Sequence, residues 1–171
     1  MAKVTIHPTP MLDELEKGRW PSFISAIKRL RDEHPSERIN AYMGDMIGQL
    51  EHSYETRMGY WKGGTVSVFG YGGGIIPRFS EVAEAYPLSK EFHTIRVQPP
   101  AGNYYTTDIL NQLANDWEEH GSGLQTFHGQ TGNIMFIGCD TQNIQPFFDK
   151  VNAYGWDLGG AGPCVRTAMA C

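Results

Sequence analysis

The sequence predicts an α+β fold, and three observations carry that expectation. Apolar residues recur at helical spacing from residue 11 to about residue 57. After Gly63-Gly64 the period shortens to the alternation of strands. Strand-like and helix-like segments then follow in the order β, α, β, β, α, which is most of a ferredoxin-like split βαβ unit. With 171 residues, the chain can form one domain with a substantial core, or one domain and a small appendage.

The helical stretch divides at its breakers. Leu12, Leu15 and Glu16 open a short turn that Gly18 and Pro21 interrupt. Ser22 is placed to cap a second helix, with Phe23, Ile24, Ile27 and Leu30 on one face and Lys28, Arg29 and Arg31 opposite. Pro35 ends it, and Ile39, Met43, Met46, Ile47 and Leu50 mark a third. Thr65 to Phe69 reads as a strand, followed by the glycine loop Gly70-Tyr71-Gly72-Gly73-Gly74. Glu91 to Gln98 alternates as a second strand. Thr106 or Thr107 can cap a helix carrying Ile109, Leu110, Leu113 and Trp117, with Gly121 just past its end. Leu124 to His128 and Asn133 to Gly138 form two strands around a Gly-Gln-Thr-Gly turn. A last helix is expected from near Gln145, with Pro146 in its first turn, to Tyr154.

Composition narrows the function classes. Forty per cent apolar and 12% aromatic residues mark a folded globular chain. Fourteen basic against nineteen acidic side chains give a formal charge of −5, which argues against non-specific nucleic-acid binding. Met1 to Pro10 lacks the apolar stretch of a signal peptide, and the run Ile134 to Ile137 is far too short to span a bilayer. Cys139, Cys164 and Cys171 suit a cytoplasmic protein with reduced thiols or a metal cluster better than a disulfide framework.

Two strands, taken as neighbours, carry polar faces. Ile95 and Val97 point one way while Thr94, Arg96 and Gln98 point the other; Thr126, His128 and Gln130 likewise share a face. A sheet covering a polar ligand has this pattern, and so does the solvated side of an antiparallel sheet. Arg78, Arg96 and Arg166 sit at strand ends and in glycine-rich loops, where guanidinium groups suit a polyanion. The glycine loop can form an anion-binding nest, although it has neither the dinucleotide G-x-G-x-x-G spacing nor a P-loop lysine. No close histidine pair and no G-x-S-x-G elbow occur. Glu118-Glu119 reads as a solvated helix end, Cys139 as a packing cysteine and Trp117 as a core residue.

The blocks PTPMLDELEKGRWPSF, GYWKGGTVSVFGYGGGIIPRFSE, FHTIRVQPPAGNYYTT, GSGLQTFHGQTGNIMFIG and WDLGGAGPCVRTAMAC follow one another along nearly the whole chain. Together they resemble the dissimilatory sulfite reductase alpha subunit, in wording closest to that of sulfur-oxidising bacteria. The resemblance implies an enzyme of cytoplasmic α2β2 assembly with a beta subunit, served by a small sulfur carrier protein. Its reaction would be six-electron interconversion of sulfite and sulfide at a sirohaem–[4Fe–4S] centre, in the sulfur-oxidising direction. Arg96 and Arg166 are then the cations that face the substrate anion, and the same two residues with Arg78, Thr94, Gln130 and Thr131 contact the macrocycle or its carboxylates. The family's C-x5-C…C-x3-C arrangement makes Cys171 the first cluster cysteine and leaves Cys164 at the wrong spacing.

On this resemblance, residues 1–60 form a helical arm and 61–157 a ferredoxin-like sulfite/nitrite reductase half domain. Residues 158–171 then begin the truncated sirohaem/[4Fe–4S] domain, and the isolated chain is expected to be inactive. The alternative is a non-enzymatic module of ferredoxin-like fold that binds a small anion with Arg78, Arg96 and the glycine loop.

Overall fold

The computed structural model describes residues 3–17, 23–56, 66–68, 74–99, 102, 104–129 and 131–159, with Phe23 and 66–68 described by backbone alone. They fall into two compact units: Met1–Val68 with Phe79–Glu91, and Phe69–Arg78 with Phe92–Cys171.

The first unit is built from α1 (Pro10–Glu16), α2 (Phe23–Glu33) and α3 (Glu37–Thr56). The expected apolar positions of α3 (Ile39, Met43, Met46, Ile47 and Leu50) are all buried. The helix is also buried at Asp45, Gln49 and Glu51, so it is enclosed on most sides rather than lying on a surface. Its buried carboxylates have work that explains their burial. Glu51 accepts the Met11 and Leu12 N–H groups, each at 2.9 Å, which satisfies free donors at the start of α1. Asp45 accepts the Leu88 N–H at 2.9 Å, and the Tyr42 hydroxyl donates to the Glu91 carbonyl at 2.8 Å. These bonds tie α3 to the segment containing a 3-10 turn, Pro87–Ser89. Strand β1 (Val66–Val68) pairs with β3 (Arg78–Ser80), of which Phe79 and Ser80 belong to this unit.

The second unit is a four-stranded antiparallel sheet of order β2-β4-β6-β5, with β2 at Ile75–Ile76, β4 at Thr94–Val97, β5 at Leu124–Phe127 and β6 at Ile134–Ile137. Helix α4 (Thr107–His120) links β4 to β5, and α5 (Thr141–Ala153) follows β6. Val97 then pairs with Leu158, and Gln98 N–H donates to the Asp157 carbonyl at 2.9 Å. Residues 157–159 thus occupy the place of the last strand of a ferredoxin-like βαββαβ unit. The core lies on one face, where Ile95, Val97, Ile134 and Phe136 meet Leu113, Trp117, Phe147 and Val151. Trp117 is fully enclosed, its indole N–H donating to the Leu124 carbonyl at 2.9 Å. Gly121 ends α4 because a Cβ there would drive into that indole ring.

Most expected elements appear within a few residues of their anticipated ends, and Thr106 caps α4 by accepting the Ile109 N–H at 3.3 Å. Helix α5 differs. It begins at Thr141 rather than near Gln145, so Pro146 lies in its second turn. The cost is one missing N–H donor, and the buried face carried by Phe147 and Val151 holds the helix together through it. Strands β2 and β3 were not anticipated, because two or three residues beside Gly74 and Pro77 are too short to show a period. Ser22 lies outside the described residues.

Two predictions follow from this packing. Trp117→Ala removes the central core ring and lowers unfolding free energy by about 3–5 kcal/mol, read by urea denaturation. The second concerns Lys28, which donates to Asp13 at 2.6 Å and to Glu16, joining α2 to α1. Its hydrogen bonds hold both carboxyls below their ordinary values of 3.8 and 4.5. Depressed carboxylates stabilise the fold above those values, and the contribution is lost as pH falls through the folded values. Lys28→Met therefore flattens the pH dependence of stability between about pH 3 and pH 5, measured by denaturation at a series of pH values.

Candidate functional site

Strand β4 organises the candidate site. On one edge, its residues pair with β2 as Ile95 with Ile75 and Thr94 with Ile76. The same register carries Arg96 N–H to the Gly74 carbonyl at 2.7 Å and Phe92 N–H to the Arg78 carbonyl at 3.1 Å. Directly opposed residues of an antiparallel pair share a face, and alternate residues of one strand do so too. Arg78, Ile76, Thr94 and Arg96 therefore project from one face, opposite the helix-covered face of Ile95 and Val97. Pro77 falls where its nitrogen points away from β4, so an edge strand tolerates it.

Burial separates the two readings of that face. Arg78 is only 6% exposed and Thr94 only 3%, so around these residues it is not a solvated surface. The Thr94 hydroxyl oxygen is buried with no hydrogen-bond partner among the described residues. A buried hydroxyl left unsatisfied is costly, and a ligand acceptor or donor would relieve it.

Two glycines, Gly74 and Gly159, meet the backbone of Arg96. Its N–H meets Gly74, and its carbonyl accepts the Gly159 N–H at 3.1 Å. Gly74 has φ of +85°, and a Cβ there would meet the Arg96 carbonyl oxygen at 2.8 Å, so no other residue fits without strain.

The expectation of two neighbouring polar strands needs correction. β4 and β5 are separated by β6, which brings Met135 opposite Arg96 and Thr126, and Ile137 opposite Thr94 and Leu124. In a split βαβ unit the strands flanking the crossover helix are not adjacent, so the face is polar at its flanks and apolar in the middle. Thr131 lies in the turn between β5 and β6, where its hydroxyl donates to Asn133 Oδ1 and lies 2.8 Å from His128 Nδ1. Tyr105 steadies the turn by donating to the Gly132 carbonyl at 2.6 Å, and burial pushes its phenol up to about 12, keeping it a donor. Arg78, Thr94 and Arg96 are thus gathered on one face, while Thr131 is engaged within its own turn. Gln130, Arg166, Cys164 and Cys171 lie outside the described residues.

The residues expected to be structural are so. Trp117 and Cys139 are in the core, and Glu119 pairs with Lys150 of α5. No group of three or more His, Cys, Asp or Glu among the described residues is placed to hold a metal ion. His93 was missed. It is 1% exposed, accepts the Arg78 N–H at Nδ1 and meets Thr141 at Nε2, yet an isolated histidine has no spacing signature.

The sheet order and the single helical layer of the second unit match a known class, the sulfite reductases. No family model matches the chain. Over 165 residues, 96% of the chain, it is 78% identical to the dissimilatory-type sulfite reductase alpha subunit of Allochromatium vinosum. It is 42% identical over 175 residues to the corresponding subunit of Nitratidesulfovibrio vulgaris. It spans 40% of the length of each. The crystal structure of dissimilatory sulfite reductase I superposes with a TM-score of 0.75 at 42% identity, covering 91% of this chain and 38% of that one. By sequence and by fold, the chain belongs with the dissimilatory sulfite reductase alpha subunits.

The orphaned hydroxyl gives a direct test of the site. In the chain without ligand, Thr94→Val removes an unsatisfied polar atom and leaves stability unchanged or raised by about 1 kcal/mol. A loss of comparable size in urea denaturation would show the hydroxyl to be satisfied by protein.

Proposed function

We propose that this chain supplies one wall of the anion site in a dissimilatory sulfite reductase that interconverts sulfite and sulfide. The observation that carries the reading is the single face on which Arg78 and Thr94, both buried, stand together with the half-buried Arg96. Two guanidinium groups and a hydroxyl offer donors to oxyanions.

Sirohaem, a polycarboxylate macrocycle, fits this donor set, with Arg78, Thr94 and Gln130 toward the macrocycle and its carboxylates and Thr131 joining them by releasing its bond to Asn133. The iron macrocycle supplies the redox chemistry when bound. Arg96 and Arg166 orient the sulfite oxygens and stabilise their charge, which stays effective because arginine remains protonated when desolvated. Strand β4 holds the Arg96 backbone rigid through bonds on both edges, so little reorganisation is needed when an anion enters. For the [4Fe–4S] cluster, Cys171 is one thiolate, and the described residues do not fit the rest of a four-ligand set. In this reading the remaining ligands come from the part of the subunit beyond the 40% that this chain spans, and the 171 residues alone are inactive.

The working assembly in this reading is a cytoplasmic α2β2 complex with a beta subunit, exchanging sulfur with a small carrier protein and running in the oxidising direction. Residues 1–60 serve as its helical arm, 61–157 as the half domain and 158–171 as the entry to the cofactor domain. A second reading, a small-anion-binding module, draws on the ferredoxin-like closure at Leu158.

The test uses the complete alpha subunit co-expressed with its beta subunit. Arg96→Met raises KM for sulfite by about tenfold or more in the methyl-viologen assay, since a charge-assisted bond is lost. An unchanged KM contradicts the reading and favours the binding module, whereas turnover by the isolated 171-residue chain contradicts both.

A further inference from the structure

We infer that His93 is a positioning residue for Arg78, clamping the arginine's backbone to helix α5. The inference rests on the reading of Arg78 as an anion contact. His93 immediately precedes β4, next to Thr94, and its imidazole reaches the helix side, where Nε2 meets Thr141 of α5. The Arg78 N–H donates to His93 Nδ1 at 2.9 Å, and His93 Nε2 lies 2.9 Å from Thr141 Oγ1. The Arg78 carbonyl accepts the Phe92 N–H at 3.1 Å, so both backbone groups of the arginine are held by residues 92 and 93. The His93 backbone is itself fixed, its N–H donating to the Cys139 carbonyl and its carbonyl accepting the Gly138 N–H, each at 2.9 Å.

The chemistry calls for histidine in particular. An amide N–H can be accepted only by a ring nitrogen with a free lone pair, so Nδ1 is unprotonated. The ring proton then stands on Nε2, where the threonine hydroxyl of the first residue of α5 accepts it. The imidazole is a rigid spacer with an acceptor at one end and a donor at the other. It joins the segment bearing Arg78 to a helix packed on the core. Positioning shells of this kind commonly carry much of a site's affinity while touching no ligand.

The experiment uses the complete alpha subunit with its beta subunit and compares Arg78→Met, His93→Asn, His93→Gln and Thr141→Val. Sirohaem retained after gel filtration is read from visible absorption, and Tm is recorded alongside. An Asn oxygen reproduces the acceptor at Nδ1, whereas a Gln amide reaches only the Nε2 position. Positioning therefore requires His93→Gln to lose retained sirohaem by about tenfold, in step with Arg78→Met, while His93→Asn restores most of it. Thr141→Val, at an exposed position that does not threaten folding, lowers retention by about threefold. If Asn and Gln variants fall together in proportion to Tm, His93 is structural only and the proposal is overturned. It is also overturned if Arg78→Met loses sirohaem while His93→Gln does not, with the reading of Arg78 intact. Should His93→Gln not fold, unchanged retention in Thr141→Val overturns it. Full retention in Arg78→Met removes the reading of Arg78 itself, and this inference with it.

Discussion

The backbone of Arg96 is bonded to two neighbouring segments and held in register against a third, and the second unit is arranged around it. Its N–H reaches Gly74, its carbonyl receives Gly159, and its residue pairs with Met135 across β6. A central strand bonded along both edges has no free ladder groups and little room to bend. Every side chain on its outer face is therefore set by register. A one-residue slip would send Thr94 and Arg96 into the core and Ile95 and Val97 out of it. The apolar core beneath the sheet forbids that slip, so packing on one face fixes chemistry on the other.

Charge placement follows the same logic. The chain is acidic overall, yet two guanidinium groups are brought to one face and one of them, Arg78, is nearly buried. Burying a charge is expensive unless hydrogen bonds and a counter-charge offset the lost hydration. The proposed polycarboxylate ligand adds to the contacts that Arg78 makes within the protein. The clamp at His93 adds the second requirement, since a cation is selective only when its backbone cannot drift. The acidic groups have other duties: Glu51 caps α1, Asp45 holds the Pro87–Ser89 turn, and Glu119 meets Lys150.

Much of this was legible in the sequence, for identifiable reasons. Alternation at Thr94–Val97 and helical spacing at Ile109 to Trp117 are long enough to reveal their period, and the Thr106 cap and Gly121 stop mark the helix ends. What stayed hidden depends on tertiary pairing. Ile75–Ile76 is too short to read as a strand, yet it is what places Arg78 beside Thr94. Pro146 suggested a helix start because its cost is local, whereas the burial of Phe147 and Val151 that overrides it is not. The insertion of β6 between the two polar strands is a matter of topology that no spacing displays. His93 looked like any isolated histidine until the fold set its two nitrogens against Arg78 and Thr141.

The central claim is that Arg78, Thr94 and Arg96 act from one face on the bound sirohaem and its sulfite. It is tested most directly by an experimental structure of the complete alpha subunit with sirohaem and sulfite bound. On this account, the Thr94 hydroxyl and both guanidinium groups lie within hydrogen-bond distance of ligand oxygens. A structure in which these three groups bond only to protein, with the ligand against the opposite face or elsewhere, would contradict it.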